Sequence, residues 1–156
     1  MTDPVTLTRP RALQAVVAAL IEQVEVARAQ AAIAHDEATN EETRQEGKYD
    51  TRAIEAGYLA EAQARRRAEV EQALGLLRGV AEGPPRERVD GPCLVHLERP
   101  DGIALYLLAP AAAGLRVDVD GQVVRVLTPS SPLGRELLGA EVDDELSDGS
   151  VVLGID

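Results

Sequence analysis

Residues 35–50, with the sequence HDEATNEETRQEGKYD, concentrate side chains that bind cations. The six carboxylates of this segment are Asp36, Glu37, Glu41, Glu42, Glu46 and Asp50. Only Arg44 and Lys48 oppose them. In a helix, the spacing of Glu42, Glu46 and Asp50 would place three carboxylates on one face. Such a cluster attracts a cation or a basic surface, and we call residues 36–50 the acidic stretch.

The acidic stretch also has a purely structural interpretation. Thr39 and Glu42 fit a capping box, in which a threonine and a glutamate three residues later open a helix. Glu41 and Glu42 would then lie in the first turn of a second helix, where carboxylates interact favourably with the helix dipole. The stretch contains more carboxylates than one helix cap needs, and this excess favours a functional role.

Two long helices are predicted on either side of the acidic stretch. In the first, apolar residues alternate at spacings of four and three, which is typical of a left-handed helix pair. They are Leu13, Val17, Leu20, Val24, Ala27, Ala31 and Ala34. The second segment repeats the pattern with Tyr49, Ala53, Ala56 and Ala60, is polar at the expected seam from Gln63 to Arg67, and resumes with Val70, Leu74 and Leu77. Small residues meet near the acidic stretch and large ones at the other end, which predicts an antiparallel coiled-coil hairpin. Gly57 predicts a close backbone approach.

A change of pattern marks a second domain. Residues 80–92 are rich in proline and glycine and are predicted to be a linker between a hairpin at 1–79 and a domain at 93–156. Short strand-like runs at 93–98, 103–108, 115–119, 122–127 and 151–155 follow, and Asp120-Gly121 is a strong hairpin signal. Ser131, Pro132 and Gly139 frame a short helix. The fold class is therefore predicted to be α+β.

Composition restricts the possible partners. The chain has 156 residues and a net charge of −11, which argues against direct binding of DNA or RNA phosphates. A basic surface, a cation or a protein that handles nucleic acid is expected instead. Cys93 is the single cysteine, so no internal disulfide can form, and His35 and His96 show no metal-ligand spacing. No membrane segment is evident, and a cytoplasmic location is expected.

Two separated motifs resemble a known family. TPSSPLGRELLGAEVDDEL (128–146) resembles the C-terminal signature of the bacterial Gre transcript-cleavage factors, GreA and GreB. EGKYDTRAIEAGYLAEAQARRRAEVEQAL (46–74) is similar to the segment that follows the acidic tip of their coiled coil. Together with the long first helix, the resemblance covers nearly the whole chain in the same order. It implies a small FKBP-like α+β domain after the hairpin.

The resemblance also implies a function. Gre factors insert the coiled coil into the secondary channel of RNA polymerase, where tip carboxylates help to hold a Mg²⁺ ion and the polymerase cleaves its own backtracked RNA. On this chain the implied residues are Glu41, Glu42 and Glu46, with Glu42 and Glu41 at the metal. The ion would be held jointly with the polymerase. The protein would be an accessory factor and not itself an enzyme.

One position departs from the family pattern. Counting back from Tyr49, the two tip carboxylates of the family fall on Glu42 and on Gln45, and an amide is a poor Mg²⁺ ligand. Glu41 or Glu46 could substitute. Two alternatives therefore stay open: a channel-binding regulator that does not stimulate cleavage, and a structural coiled-coil adaptor unrelated to polymerase.

Two further groups are candidates for partner binding. An apolar patch is predicted from Leu133, Leu137 and Leu138, which would dock the C-terminal domain onto polymerase. Arg65, Arg66 and Arg67 could form a basic site for polymerase or nascent RNA, and their alternative role is a solvated helix face.

Overall fold

The computed structural model describes residues 7–42, 49–78, 80 and 84–156. The protein is α+β, with two N-terminal helices followed by a five-stranded sheet and one short helix. The helices are α1 (Arg9–Glu42), α2 (Tyr49–Leu77) and α3 (Pro132–Leu137). The strands are β1 (Cys93–Arg99), β2 (Gly102–Leu108), β3 (Arg116–Val119), β4 (Gln122–Leu127) and β5 (Val151–Ile155).

Two compact units divide the chain inside the helices. One unit is Leu20–Gln72, and the other joins the start of α1, up to Ala19, to the chain from Ala73 onward. The predicted linker contributes buried side chains, because Val80 and Val89 are both largely inaccessible to solvent. The domain boundaries at 79 and 92 stay a prediction.

Within the unit Leu20–Gln72, α1 and α2 lie side by side. Arg66 Nη2 in α2 donates a hydrogen bond to Gln23 Oε1 in α1 at 3.0 Å. Further along α1, Ala31 shares a groove with Ala56 of α2. Increasing numbers in α1 therefore meet decreasing numbers in α2, so the two helices run antiparallel.

The burial pattern of the helices follows the predicted period, with local differences. In α1 the predicted seam residues Leu20, Val24 and Ala27 are buried. In α2 the less exposed described positions include a series at every seventh residue, Ala56, Gln63, Val70 and Leu77, together with Ala73 and the predicted Leu74. A repeat of seven is the period of a left-handed helix pair. Ala60, which was predicted at the seam, is exposed instead.

At the start of α1 the buried face differs from the predicted seam. Ala12 and Val16 are fully buried, whereas the predicted Leu13 and Val17 are only half-buried. This part of α1 belongs to the same compact unit as the sheet. The backbone N–H of Arg9 donates to Asp156 Oδ2 at 2.6 Å. The face of α1 rotates by one residue here because the helix packs in the unit that holds the sheet.

The sheet has the strand order β3-β4-β2-β1-β5. β2 and β4 are parallel, and the other neighbouring pairs are antiparallel. Asp120 and Gly121 connect β3 to β4 with positive φ angles of 54° and 82°, which is the backbone that an Asp-Gly hairpin turn requires. The five predicted strands are confirmed, with bounds that differ by at most one residue.

One face of the sheet carries a compact core. It consists of Val89, Cys93, Val95, Leu97, Tyr106, Leu108, Leu137, Ala140, Leu146, Val152 and Ile155. Tyr106 is its single aromatic residue, so the core is filled mainly by branched aliphatic side chains. On the opposite face Leu94, Leu107 and Val124 are also fully buried. Both faces of the central strands are therefore covered.

Cys93 provides a test of this packing. Its side chain is fully buried, and burial raises the pKa of the thiol from 9.0 to about 11. Because only the thiolate is nucleophilic, we expect a disulfide reagent at about pH 8 to leave the folded protein unmodified and to react fully in denaturant. The raised pKa also means that the associated stability is present below pH 9.0 and is lost as the pH rises toward about 11. Rapid reaction of the folded protein would show that this core opens readily.

Candidate functional site

The acidic stretch joins the two long helices. α1 ends at Glu42 and α2 begins at Tyr49, so Asp36, Glu41 and Glu42 belong to α1 and Asp50 belongs to α2. Gln45 and Glu46 lie outside the described residues, as do the side-chain positions of Glu41 and Glu42. The roles assigned to these residues stay predictions.

The capping-box interpretation of Thr39 and Glu42 is wrong. Thr39 lies three residues before the end of α1, and Glu42 is the last residue of α1. Neither residue therefore opens a second helix. Glu41 and Glu42 therefore occupy the last turn of a helix and not the first. The C-terminal end of a helix carries a partial negative charge, which disfavours carboxylates by about 0.3–1 kcal/mol each. Helix stability therefore does not explain why Glu41 and Glu42 are acidic.

A Mg²⁺ site would have to draw on these carboxylates and on a partner. Carboxylate oxygens are suitable ligands for this hard cation, which also retains several waters. Among the described residues, no group of three or more His, Cys, Asp or Glu side chains is placed to hold a metal ion. The carboxylates of residues 41, 42 and 46 fit the ion chemically, and their side chains lie outside the described residues.

A groove lies between α1 and α2 on the side of the acidic stretch. It is lined by Ala31, His35, Ala56, Gly57, Leu59, Ala60 and Gln63. A Cβ atom added at Gly57 would meet no other heavy atom within 4 Å. The predicted close backbone approach at Gly57 is therefore wrong. The small side chains at this level leave open space between the helices.

The three consecutive arginines of α2 have different surroundings. Arg66 bonds to Gln23 and also approaches Glu69 Oε2 at 3.6 Å, and Arg67 Nε pairs with Glu71 Oε1 at 3.0 Å. Arg65 has no ion pair with any described residue. All three side chains are exposed. Two of these arginines therefore have partners within the helix pair, and Arg65 is left without an ion pair among the described residues.

The segment 128–146 forms a tightly bonded turn and helix. Ser131 caps α3: its Oγ donates to the Thr128 carbonyl at 2.7 Å and accepts from the Gly134 N–H at 3.1 Å. Pro132 occupies the first turn, as predicted. Gly139 has a φ of 86°, and its N–H donates to the Val89 carbonyl at 2.8 Å. The segment is therefore joined to the end of the predicted linker.

Gly134 is a residue whose role the sequence did not reveal. A Cβ atom at this position would lie 2.1 Å from the Thr128 carbonyl oxygen and 2.8 Å from Ser131 Oγ. Both distances are far inside van der Waals contact. A glycine flanked by ordinary helix residues, as in Pro-Leu-Gly-Arg-Glu, gives no sign of this contact. The requirement arises from the Thr128 backbone, which folds back over α3.

The predicted apolar patch on α3 is not a common surface. Leu137 is fully buried in the sheet core, and Leu133 is half-buried against it. Leu138 is exposed, at 43% of its surface. Leu137 therefore cannot contact a partner in this structure, because the helix turns it inward. Only Leu138 of the three presents a large apolar surface to solvent.

The acidic turn after α3 is structural. Asp144 Oδ2 accepts from the Glu141 N–H at 2.8 Å, and the Asp143 N–H donates to the Val152 carbonyl at 2.8 Å. Arg88 is paired with Glu141, and this contact raises the pKa of the arginine. The carboxylates of Asp144 and Glu141 therefore stabilise the turn and its contact with Arg88, and backbone hydrogen bonds join the segment to β5.

No helix in the described part of the chain is long and apolar enough to cross a membrane. No protein-family model matches the chain, and no curated protein sequence matches it. Among solved structures, the chain is similar to the transcription factor Gfh1, with 23% identity over 99% of both chains and a TM-score of 0.39.

Two other solved structures are similar to the chain. GreA factor homolog 1 (Gfh1) of Thermus thermophilus is 20% identical over 91% of this chain and 95% of that chain, with a TM-score of 0.35. Thermus aquaticus Gfh1 is 22% identical over 91% and 94%, with a TM-score of 0.31. At such low identities and TM-scores, the function of this chain has to be inferred from its own residues.

Proposed function

We propose that this chain is a Gre-type transcription factor that binds RNA polymerase and places its acidic stretch in the polymerase secondary channel. The two helices act as a coiled-coil hairpin, and the sheet with α3 acts as an FKBP-like docking domain. At the polymerase active site, the carboxylates help to hold Mg²⁺ and stimulate cleavage of backtracked RNA. The chain is an accessory factor, and the polymerase performs the reaction in the cytoplasm.

The observation that carries this proposal is the position of Glu41 and Glu42 in the last turn of α1. Carboxylates there oppose the helix dipole, so a sequence selected only for helix stability would favour lysine or arginine. No basic residue occupies that turn. A cost of this kind is expected where the charge serves a ligand or a partner.

The length of the helices supports the same role. α1 has 34 residues and α2 has 29. At 1.5 Å per residue, helices of these lengths extend about 50 Å and about 44 Å. The acidic stretch contains the C-terminal end of α1 and the N-terminal end of α2. Long helices and a charged connection suit a probe that enters a confined site.

The chain would contribute only oxygen ligands to the reaction. When bound, Mg²⁺ would activate a water and neutralise the charge that develops on the RNA phosphate. Glu42 and Glu41 would provide oxygen ligands, and Glu46 would provide a further carboxylate nearby. The polymerase would supply the remaining ligands, because one or two side chains hold this ion weakly.

One observation favours a second candidate function. Gln45 stands where the family has a carboxylate, which removes one of the two charged ligands. A factor with this defect could occupy the channel and compete with other channel factors without stimulating cleavage. Binding to polymerase would then persist, while RNA shortening would not occur.

A transcript-cleavage assay on stalled elongation complexes tests the proposal. We expect the wild-type protein to accelerate RNA shortening, and Glu42→Ala to reduce that acceleration by roughly tenfold or more because a metal ligand is lost. Glu41→Ala and Glu46→Ala identify which carboxylates contribute. Glu61→Ala, which removes an exposed carboxylate from α2, should behave as wild type.

The possible outcomes separate the candidate functions. Wild-type protein that binds polymerase and shortens no RNA would support the non-cleaving regulator. Cleavage that is equal for wild type and Glu42→Ala would refute the assigned metal ligand. Failure to bind polymerase would favour a structural adaptor and would overturn the proposal altogether.

A further inference from the structure

Two arginines lie opposite each other in the hairpin formed by β3 and β4. Arg116 of β3 is the direct cross-strand partner of Arg125 of β4. Both side chains are exposed. Like charges in directly opposed positions destabilise an antiparallel pair, whereas opposite charges stabilise it. The chain has a net charge of −11, so acidic residues are much more common in it than basic ones. The pairing of two cations at this position therefore calls for an explanation.

The described part of the chain supplies no carboxylate that pairs with either arginine. Asp118 lies on the same face of β3, opposite Val123, and its Oδ1 accepts from the Gly121 N–H at 2.9 Å in the hairpin turn. Asp120 in that turn is paired with Arg11. Asp120 is therefore paired, whereas Asp118 keeps its negative charge two residues further along the same face. Arg116 and Arg125 pair with no described carboxylate, and both side chains are exposed to solvent.

Protection of the sheet edge does not fully explain the two charges. Charged residues on an outermost strand discourage edge-to-edge aggregation, and Arg116 on β3 could serve that purpose. Arg125, however, lies on β4, which has neighbours on both sides. A single charge on β3 would protect the edge, and the second one only adds repulsion. The pair is better suited to binding an anionic group.

β3 is also the open edge of the sheet. It occupies one end of the strand order, and no described strand pairs with its outer side. The opposite edge, β5, is covered, because the Val152 N–H donates to the Asp144 carbonyl and the Asp143 N–H donates to Val152. An extended peptide can add to a free edge through main-chain hydrogen bonds, and its alternate side chains then decide specificity.

The two faces of β3 define which side chains such a peptide would need. Val117 and Val119 point to the covered face and are each 8% exposed. Arg116 points to the open face beside Arg125. Because side chains alternate along a strand, a strand added to β3 would present apolar residues to one side. On the other side it would need a carboxylate opposite Arg116 and a neutral residue opposite Asp118.

We propose that β3, with Arg116 and Arg125, binds an extended segment of a partner protein in which a carboxylate lies opposite Arg116 and the alternate residues are apolar. That carboxylate offsets the repulsion between the two opposed guanidinium groups. A nucleic-acid backbone is a weaker candidate, since the overall charge of −11 repels phosphates and the alternating faces suit a peptide. This binding needs no residue of the acidic stretch and goes beyond the proposed cleavage function.

Fluorescence anisotropy with a labelled peptide in which one glutamate and two flanking threonines alternate with valines tests the proposal, since a threonine then lies opposite Asp118. We expect the wild-type protein to bind it, with an affinity that falls as NaCl rises from about 50 to about 200 mM. The same peptide with glutamine in place of glutamate should bind at least roughly tenfold more weakly. Absence of binding by the wild-type protein would overturn the proposal.

Charge reversal at the patch separates binding from folding. Arg116→Glu places a carboxylate opposite Arg125, so the melting temperature should be equal to or higher than that of the wild type. Peptide binding should nevertheless fall by roughly tenfold or more, whereas Arg116→Lys should retain most of it. Arg28→Glu, a charge reversal on an exposed residue of α1, is the matched control and should bind as wild type.

Three results would contradict the assignment. Equal peptide binding by Arg116→Glu and wild type would exclude the arginine pair. Tighter binding of single-stranded RNA than of the peptide, lost in the same variant, would make the surface a nucleic-acid site. Self-association in sedimentation that disappears in Arg116→Glu would make it an interface between copies of the chain.

Discussion

Gly134→Ala is expected to lower the free energy of unfolding by about 2–3 kcal/mol, near the upper end of the range for overpacking. The new methyl group would lie 2.1 Å from the Thr128 carbonyl oxygen, which belongs to the backbone and cannot rotate away. Moving Thr128 would in turn weaken the cap of α3, because Ser131 donates to the same oxygen at 2.7 Å. Steric overlap and loss of the cap therefore act together.

Urea unfolding and thermal melting measure this effect. For a chain of this size, a loss of 2–3 kcal/mol corresponds to a fall in melting temperature of roughly 5–10 °C. Gly57→Ala is the control, because a Cβ there meets nothing within 4 Å inside a regular helix. That change should stabilise the protein by up to about 1 kcal/mol. Equal stability of Gly134→Ala and wild type would mean that the Thr128 turn relaxes easily.

Features set by neighbouring residues could be predicted from the sequence. The Asp120-Gly121 turn needs positive φ angles that aspartate and glycine tolerate, and it joins β3 to β4 as predicted. Ser131 and Pro132 open α3 because the cap and the fixed proline φ are properties of adjacent residues. In each case the signal and its cause lie within a few residues.

Features set by distant contacts could not be predicted. The parallel pairing of β2 with β4 brings Leu105 opposite Val124, and no local pattern encodes that choice. The buried face at the start of α1 shifts to Ala12 and Val16 because the helix packs there with a different part of the chain. By contrast, the opposition of Arg116 and Arg125 follows from the two-residue Asp120-Gly121 turn, which fixes the register of the hairpin.

The acidic stretch combines a feature that could be predicted from neighbouring residues with one that could not. Its composition was evident, and a functional role was predicted from the excess of carboxylates. The capping interpretation failed because the boundary of α1 falls after Glu42 and not before Thr39. Helix length depends on packing along the whole segment, so a local cap pattern did not determine it. The corrected boundary reverses the sign of the helix-dipole contribution from Glu41 and Glu42.

Gln45→Glu is expected to increase RNA cleavage by roughly tenfold or more if the acidic stretch supplies ligands to Mg²⁺. The change replaces an amide with a carboxylate at the position where the family resemblance implies a charged ligand. A carboxylate binds this cation more strongly than a neutral amide oxygen, because it adds a full negative charge. The expected gain distinguishes metal binding from occupation of the channel, since occupation alone does not require that charge.

The assay compares cleavage rates at saturating factor, so that changes in polymerase affinity do not contribute. Gln30→Glu adds the same charge to an exposed position of α1 and should leave the rate unchanged. Combining Gln45→Glu with Glu42→Ala should cancel most of the gain, because both carboxylates act on one ion. If Gln45→Glu binds polymerase normally and cleavage stays at the wild-type rate, residue 45 does not contact the metal. Metal binding would then depend on Glu41, Glu42 and Glu46 alone. If Glu42→Ala also left the rate unchanged, occupation of the channel would be the remaining function.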